Sequence, residues 1–318
     1  MLMKPETEVG SHRHLLTSVR RVLDSDVAHS FFASPATVLA ALVTLLFVFM
    51  AVFAPVLTSY TPFNPSTLDL MDSFIPPVWD ANGDPSHLLG TDDQGRDVLA
   101  AIMYGTRISL IVGLCSVLLS LLIGVPLGIV SGYFGGWIDS VVMRIADIQL
   151  TIPPILIALM IDGVTRTVLA GNLHETAAIP VLILSIGIAS WPQYARVVRS
   201  GTLVERNKDY IAAAHMAQSP PYRIMIGHIL PNVIGPTLVI ATIGVAVAII
   251  IEATLSFLGV GVPPTSPSLG TLIRIGNDYV FSGEWWISLF PCLALVMLVL
   301  AVNLIGDWLR DTFNPKLR

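Results

Sequence analysis

Six apolar stretches, each long enough for a helix to cross a lipid bilayer, constrain this chain more than any other feature of its sequence. A hydrocarbon core about 30 Å thick needs roughly 20 residues of helix. Backbone polar groups find no water inside lipid, so helices are the structure expected for these stretches. The predicted spans are residues 36–58, 107–131, 140–161, 177–196, 233–256 and 286–307.

Composition supports an all-α integral membrane protein with about six transmembrane helices. Only 12% of the 318 residues are charged and 54% are hydrophobic, whereas a soluble domain has about a quarter charged residues. The low charge argues against a nucleic-acid partner. Cys115 and Cys292 lie in apolar runs, so we interpret them as small buried side chains and not as a disulfide. No cleavage site follows the first apolar run, so we expect that span to be retained.

The distribution of Lys and Arg predicts the orientation. The N-terminal tail, the region 196–232 and the C-terminal tail hold twelve of the seventeen, and the opposite side holds three. Since cytoplasmic loops carry the excess of positive charge, both termini are predicted to be cytoplasmic. We therefore divide the chain into an N-terminal tail (1–35), a transmembrane domain (36–308) and a C-terminal tail (309–318). In the first tail, apolar residues at helical spacing over 15–32 predict an amphipathic surface helix; chance periodicity in a disordered tail is the alternative.

Prolines and glycines inside the spans favour kinked helices in close contact around a cavity, or equally ordinary helix packing. They are Pro126, Pro153, Pro154, Pro291, Gly113, Gly124 and Gly128.

Two external loops carry local signals. The long acidic loop 59–106 contains Thr91 and Gln94 at the spacing of a capping box, which predicts that a helix begins there and leads into the second span. The loop 257–285 contains Pro263, Pro264 and Pro267, from which we expect no regular helix and a segment able to re-enter the membrane in part.

The largest cytoplasmic element is the segment 197–232, which is too short for a catalytic domain. Its middle, 209–218, consists of good helix formers, and the following Ser-Pro-Pro ends that helix. A short projecting helix favours a docking role over a mere connector. The segment resembles the cytoplasmic loop of ABC importer permeases: Ala213 and Ala214 match the two alanines of the family pattern and 228–232 match its closing element, whereas Ala212 replaces a Glu and Gln218 a Gly.

After residue 30 nearly the whole chain resembles the C-type permease of the dipeptide and oligopeptide branch. The matching blocks are HLLGTDDQGRDV at 87–98, YGTRISL at 104–110, GYFGGWID at 132–139, RVVR at 196–199, EATLSFLG at 252–259 and GDWLRD at 306–311. This resemblance implies a type I ABC importer permease fold in the bacterial inner membrane. It also implies that the helix 208–218 docks in a groove of an ATPase, through a coupling site of Tyr210, Ala212, Ala213, Ala214, Gln218, Ile229 and Pro231.

Three charged residues in the spans are candidates for structural or gating roles. Arg144 and Asp147 are three positions apart, so a local ion pair is the simplest interpretation and a gate the alternative. Glu252 is expected to face protein or water, because an unpaired carboxylate is unfavourable in lipid. A structural hydrogen bond is favoured for it over binding of a substrate amino group.

The chain lacks the signals of an enzyme. Its lysines are Lys4, Lys208 and Lys316, none of them in a phosphate-binding loop, so ATP and Mg are expected on a partner ATPase and no cofactor here. All histidines lie outside the apolar cores of the spans, which argues against intramembrane hydrolysis. A solo secondary transporter or channel is the stronger alternative, although mid-membrane coupling charges are almost absent.

The expected assembly contains a second, homologous permease, two ATPase subunits and an external substrate-binding protein, for which the acidic first loop is a candidate contact. Six spans are too few to enclose a peptide-sized path alone, so each permease is expected to form half of it. Di- and oligopeptides are the favoured substrates; nickel chelates, glutathione or other small solutes are alternatives.

Overall fold

The described part of the chain folds into a bundle of long helices. The computed structural model describes residues 26–58, 63, 69–168, 172–263 and 265–313, and in these ranges β-structure is limited to one isolated bridge between Thr91 and Asp97. The helices are α1 (Asp26–Ala33), α2 (Pro35–Leu57), α3 (Val98–Phe134), α4 (Gly136–Leu150), α5 (Pro154–Val168), α6 (Asn172–Arg206), α7 (Asp209–Met216), α8 (Pro221–Ile224), α9 (Leu230–Phe257), α10 (Leu269–Asn277) and α11 (Trp286–Phe313).

Five of the six predicted crossings are confirmed as continuous helices, and the third is corrected. Five segments of the described chain are long and apolar enough to span a membrane as continuous helices: α2, α3, most of α6, α8 with α9, and α11. The sixth candidate is α4 with α5, which meet at a bend of 90° and form either one broken span or a re-entrant pair. Pro153 and Pro154 lack the N–H groups that would continue α4, so residues 140–161 form an elbow and not the straight span predicted.

The second span starts later than the capping-box signal predicted. Its N-cap is Asp97, whose carboxylate accepts hydrogen bonds from the Leu99 and Ala100 amides at 3.3 and 3.2 Å. Asp92 instead closes a turn by accepting from the amides of Gln94 and Arg96 at 2.9 and 3.0 Å. The prediction of a helix start at Thr91 is wrong, because Thr91 is used in tertiary contacts.

Those contacts fasten the first loop to the outer end of α11. The Thr91 carbonyl accepts from the Trp286 ring N–H at 3.0 Å, and its hydroxyl donates to the Asp72 carbonyl at 2.5 Å. Beside it the Arg96 guanidinium pairs with Asp92 at 2.6 Å, and both side chains are buried. Burial raises the pKa of Asp92, and the charge of Arg96 offsets part of that shift. Residues 69–97 of the first loop are therefore an ordered part of the bundle.

The loop before α11 also contains a helix that its prolines seemed to exclude. α10 begins two residues after Pro267, with Ser268 as its N-cap. Leu269 and Leu272 are buried in a core cluster shared with α3, α9 and α11. The prolines thus precede a helix and do not prevent one.

The most extensive helix contact among the described residues joins α3 to α6. Three glycines of α3, four residues apart, face α6: a Cβ at Gly124 would lie 2.7 Å from the Trp191 carbonyl oxygen, and one at Gly128 would lie 2.6 Å from the Ala195 carbonyl oxygen. At Gly132 it would lie 2.7 Å from the Thr202 Cβ. The predicted close contact is present at Gly124 and Gly128, where a larger side chain would meet the α6 backbone. Contact around a cavity stays a prediction, with ordinary helix packing as the alternative.

Both ends of the chain extend beyond the predicted spans. α1 corresponds to the last part of the predicted surface helix. The Phe31 ring packs edge-on against Trp308, with the two ring centroids 5.1 Å apart. Residues 15–25 of that prediction lie outside the described residues. At the other end α11 continues to Phe313, past the predicted boundary at residue 308.

Candidate functional site

The candidate site is the turn of chain between the fourth and fifth crossings, residues 207–232, called the hook below. α6 ends at Arg206, two residues lead into α7, and residues 217–220 reverse the chain into α8. A wide π-helical turn, Met225–Ile229, then joins α8 to α9. The predicted helix 209–218 is thus present and ends at Met216, two residues early.

The inner side of the hook is fixed to the bundle by apolar packing. Ile211 is 1% exposed, and Ile224 and Ile229 are fully buried. They share one cluster with Ile129 of α3 and Val198 of α6. Burying three isoleucines stabilises the attachment by roughly 1.5–3 kcal/mol for each side chain. The hook is therefore a stiff extension of the helices that carry it.

The outer side of the hook presents an uncovered, mostly apolar surface. Ala212 and Ala213 are exposed, and Met216 and Ile226 have 87% and 63% of their surface free. Of the other predicted coupling residues, Tyr210, Gln218 and Pro231 are exposed, Ala214 is half-buried and Ile229 packs inward. The structure thus divides the predicted set into an outer contact surface and inner anchors.

Polar contacts hold the first turn of the hook. The Tyr210 hydroxyl donates to the Glu205 carboxylate and accepts from the Asn232 amide at 3.3 Å. Lys208 reaches the same carboxylate at 2.6 Å. Partial burial, with the hydrogen bond to Glu205 and its charge, raises the pKa of the Tyr210 hydroxyl to about 12. Tyr210 therefore remains a hydrogen-bond donor at every physiological pH.

Gln218 occupies a left-handed backbone conformation, with φ at +53°. Its N–H donates to the His215 carbonyl at 2.9 Å, and the Ser219 N–H donates to the Ala214 carbonyl at 3.1 Å. This is the Schellman arrangement that ends many helices, normally with Gly at the left-handed position. The departure from the family pattern thus falls where a glycine has a conformational advantage, and Gln218 makes the turn together with the prolines.

We expect Gln218→Gly to stabilise the hook by about 0.5–1 kcal/mol, since relief of left-handed strain exceeds the added freedom of the unfolded chain. Hydrogen exchange in detergent should show the Gln218 and Ser219 amide positions protected about threefold more strongly. Gln218→Val, β-branched at the same position, should exchange faster than the wild type. Faster exchange in the glycine variant would contradict the argument.

Two ion pairs join α4 to α6, and they correct a sequence prediction. Asp147 pairs with Arg196 at 2.5 Å, with both side chains about half exposed, and not with Arg144, which is exposed to the surroundings. Asp139 pairs with Arg199 at 2.5 Å and accepts from the Ser131 hydroxyl at 2.7 Å. The predicted pair of Asp147 with Arg144 does not form, because α4 lies beside α6 and Arg196 of α6 reaches Asp147. The signal for Arg199 was present, since it and Asp139 both fall in blocks of the family resemblance.

Glu252 is the centre of a buried hydroxyl cluster at the other end of the bundle. Its carboxylate accepts from the Ser109 hydroxyl of α3 and from the Ser256 hydroxyl of its own helix, both at 2.7 Å. Ser109 also accepts from the Leu269 amide at the start of α10, at 3.4 Å. The expectation that Glu252 faces protein is confirmed, and the geometry joins three helices through one side chain.

A structural role for Glu252 predicts that Glu252→Gln keeps the fold within about 1 kcal/mol, because the amide oxygen still accepts from one serine hydroxyl and the amide NH2 donates to the oxygen of the other. Glu252→Ala should cost about 3 kcal/mol, through an unfilled cavity and unpaired hydroxyls. Thermal unfolding in detergent measures both. If a folded Glu252→Gln variant lost affinity for peptides with a free amino terminus by more than about tenfold, a substrate-binding carboxylate would replace this role.

Comparison with known proteins places the chain in a family. Residues 124–318 match the family described as "Binding-protein-dependent transport system inner membrane component", and residues 25–77 match the "N-terminal TM domain of oligopeptide transport permease C". A solved structure entitled "Inward facing conformations of the MetNI methionine ABC transporter" is 25% identical. It has a TM-score of 0.51 and covers 67% of this chain and 96% of its own.

Curated relatives agree over most of the length. The "Dipeptide transport system permease protein DppC" of Haemophilus influenzae is 38% identical over 279 residues, 87% of this chain and 91% of that protein. The protein of the same name from Escherichia coli K12 is 39% identical over 290 residues, 91% of this chain and 92% of that protein. The chain belongs to the family of inner-membrane permease components of binding-protein-dependent ABC transport systems.

Proposed function

We propose that the chain is one permease subunit of an ATP-driven importer for di- and oligopeptides, and that its hook receives the motion of a separate ATPase. The hook has two different sides, and this observation carries the proposal. Three buried isoleucines fix its inner side to the bundle, while the short side chains of Ala212 and Ala213 are exposed on its outer side. Small side chains permit close approach of a partner. A rigid attachment transmits a displacement and does not absorb it.

A second, homologous permease forms the other half of the path in this proposal. The described spans bury only 22–56% of their most apolar windows within the chain. A groove of about 380 Å³ at the elbow of α4 and α5 is lined by apolar side chains, among them Ile145, Ile148 and Met160. Lipid covers part of such surfaces, and the α4–α5 face is the side that we assign to the partner permease.

Peptides are proposed as substrates because the relatives with the cited identities are named dipeptide permeases. Nickel chelates, glutathione and other small solutes remain alternatives within the same family. ATP and Mg are assigned to the partner ATPases, substrate selection to an external binding protein, and both chain termini to the cytoplasm.

Reconstitution in liposomes tests the proposal. The complete importer, with both permeases, the ATPases and the binding protein, should accumulate radiolabelled dialanine only when ATP is present on the hook side. The chain alone should transport nothing. Uptake by the isolated chain would instead support a solo carrier or channel. Labelling of a cysteine at Ala213 by an impermeant reagent from outside intact cells would reverse the proposed orientation.

A further inference from the structure

The elbow between α4 and α5 packs on α6 through Ala146 and Ala158, and one amide side chain adds a polar link at the bend. Gln149, in the last turn of α4, donates from Nε2 to the Ile188 carbonyl at 2.5 Å. Its Oε1 accepts from the Trp191 ring N–H at 3.0 Å. The amide therefore uses its donor and its acceptor on the same stretch of α6, which fixes both the distance and the orientation of the elbow.

The sequence of α6 explains why a side chain is bound at this point. Pro192 follows Trp191 and has no N–H, so the Ile188 carbonyl, four residues earlier, lacks its usual helical donor. Ile188 and Gln149 both line the apolar groove at the elbow, and a carbonyl without a donor is unfavourable among apolar groups. Gln149 supplies the missing donor from another helix. The proline kink and the amide thus form a complementary pair.

Among the described residues, three polar links join α4 to α6 along its length. Asp139 and Asp147 pair with Arg199 and Arg196, and Gln149 lies farthest from the hook. Ile188 is 18 residues from the hook end of α6, or about 27 Å at the helical rise of 1.5 Å per residue. The Arg196–Asp147 pair is half exposed, and such pairs contribute little. The amide is therefore the polar link nearest the far end of α4, beside the apolar contact of Ala146 with Trp191.

We propose that Gln149 is a positioning residue for transport, which locks the α4–α5 elbow to the proline kink of α6 so that both helices move as one body when the hook is displaced. The inference rests on the proposed function, because it concerns how a displacement that enters at the hook reaches the α4–α5 elbow. Without the link, ATP hydrolysis continues at the partner while the elbow follows α6 incompletely. The loss therefore appears in coupling and not in hydrolysis.

The first experiment measures dialanine transported per ATP hydrolysed by the complete importer. Gln149→Leu, similar in size and without hydrogen-bonding groups, should lower this ratio about tenfold while ATP hydrolysis stays within about twofold of the wild type. Thr151→Val is the matched control, because the Thr151 hydroxyl donates only within the elbow, to the Ile148 carbonyl at 2.6 Å. It should keep the wild-type ratio. An unchanged ratio in Gln149→Leu overturns the proposal, as does a parallel fall in both activities.

A second variant separates positioning from mere satisfaction of the Ile188 carbonyl. Pro192→Ala provides a main-chain N–H for that carbonyl, so it competes with Gln149 for the same acceptor. If Gln149 positions the elbow, Pro192→Ala lowers the coupling ratio by itself and does not rescue Gln149→Leu. If the amide only satisfies the carbonyl, Pro192→Ala restores the ratio of Gln149→Leu, and the positioning role is refuted.

A distance measurement makes the test independent of the transported solute. Spin labels at Leu150→Cys, on α4 and outside the groove assigned to the partner permease, and at Val204→Cys on α6 report the separation of the two helices by pulsed electron resonance; both positions are exposed. Cys115 and Cys292 are first replaced by Ser. In the wild-type complex the distance should be the same without nucleotide and with ATP plus vanadate, whereas in Gln149→Leu it should shift or broaden. Superimposable distributions in both proteins refute the inference.

Failure of the proposed function and failure of the proposed role of Gln149 give different results. A complete wild-type assembly that shows no ATP-driven uptake, together with an isolated chain that transports, refutes the proposed function. A wild-type importer that transports normally beside an equally coupled Gln149→Leu variant refutes the role of Gln149 alone.

Discussion

Ala213→Arg is expected to reduce ATP-driven uptake at least about 100-fold while the protein inserts and folds normally. Ala213 is exposed on the outer side of the hook, so a large side chain there disturbs no contact within the chain. In the proposed complex the same position lies against the ATPase, where an arginine is both too long and without a counter-charge. A buried unpaired charge is unfavourable by several kcal/mol, and a 100-fold loss corresponds to about 2.7 kcal/mol.

The measurement is uptake by vesicles containing matched amounts of the permease, together with co-purification of the ATPase. Ala213→Ser serves as the control, since it changes the chemistry without adding bulk, and it should retain both. Ala214→Arg should instead lower the amount of folded protein, because Ala214 packs partly against the inner cluster. Normal uptake and normal ATPase binding by Ala213→Arg would remove the hook from the coupling route.

Gly128→Leu is expected to destabilise the bundle by about 3 kcal/mol or more, which leaves little folded protein. A Cβ at Gly128 would already lie 2.6 Å from the Ala195 carbonyl oxygen and 2.8 Å from the Val198 Cβ. Backbone atoms cannot rotate away as a flexible side chain does, so α3 and α6 must separate. Overpacking of a tight interior typically costs 1–3 kcal/mol, and a leucine exceeds the smallest such change.

The same substitution at Gly235 of α9 is the matched control, because a Cβ there would meet nothing within 4 Å. Gly235→Leu should unfold within about 1 kcal/mol of the wild type in a detergent thermal scan. Gly128→Ala should fall between the two variants. Equal stability of both leucine variants would show that α3 and α6 do not pack as closely as described.

Features of this fold that depend on neighbouring residues were predictable from the sequence, whereas those that depend on contacts between distant residues were not. The apolar length of a span is a local property, so the five continuous crossings were predictable from the sequence. The 90° elbow was less so: Pro153 and Pro154 indicate a break, but the direction of the next helix depends on its packing against α6. In the same way Thr91 has the local form of a cap, and a distant contact with Trp286 uses it otherwise.

The candidate site shows the same division. Its helix, its alanines and its closing proline were predicted from residues near one another in sequence. The partner of Asp147 was missed, because Arg196 is 49 positions away whereas Arg144 is three. The left-handed φ of Gln218 was missed because glutamine gives no sign of it; only the glycine of the family pattern indicated that position. Function as an ATPase contact stays a prediction for each of these residues.

The wide π-helical turn between α8 and α9 determines how the hook is rotated relative to the bundle. Ile224 and Ile229 are five residues apart, a spacing that would place them about 140° apart around a regular α-helix. Both are nevertheless fully buried in one cluster, because a turn closed by bonds five residues apart brings such positions onto one side. The attachment therefore depends on residue number as well as residue type. Deletion of Gly227 would rotate Ile224 or Ile229 out of this cluster. It would also turn Ala212 and Ala213 away from the proposed ATPase.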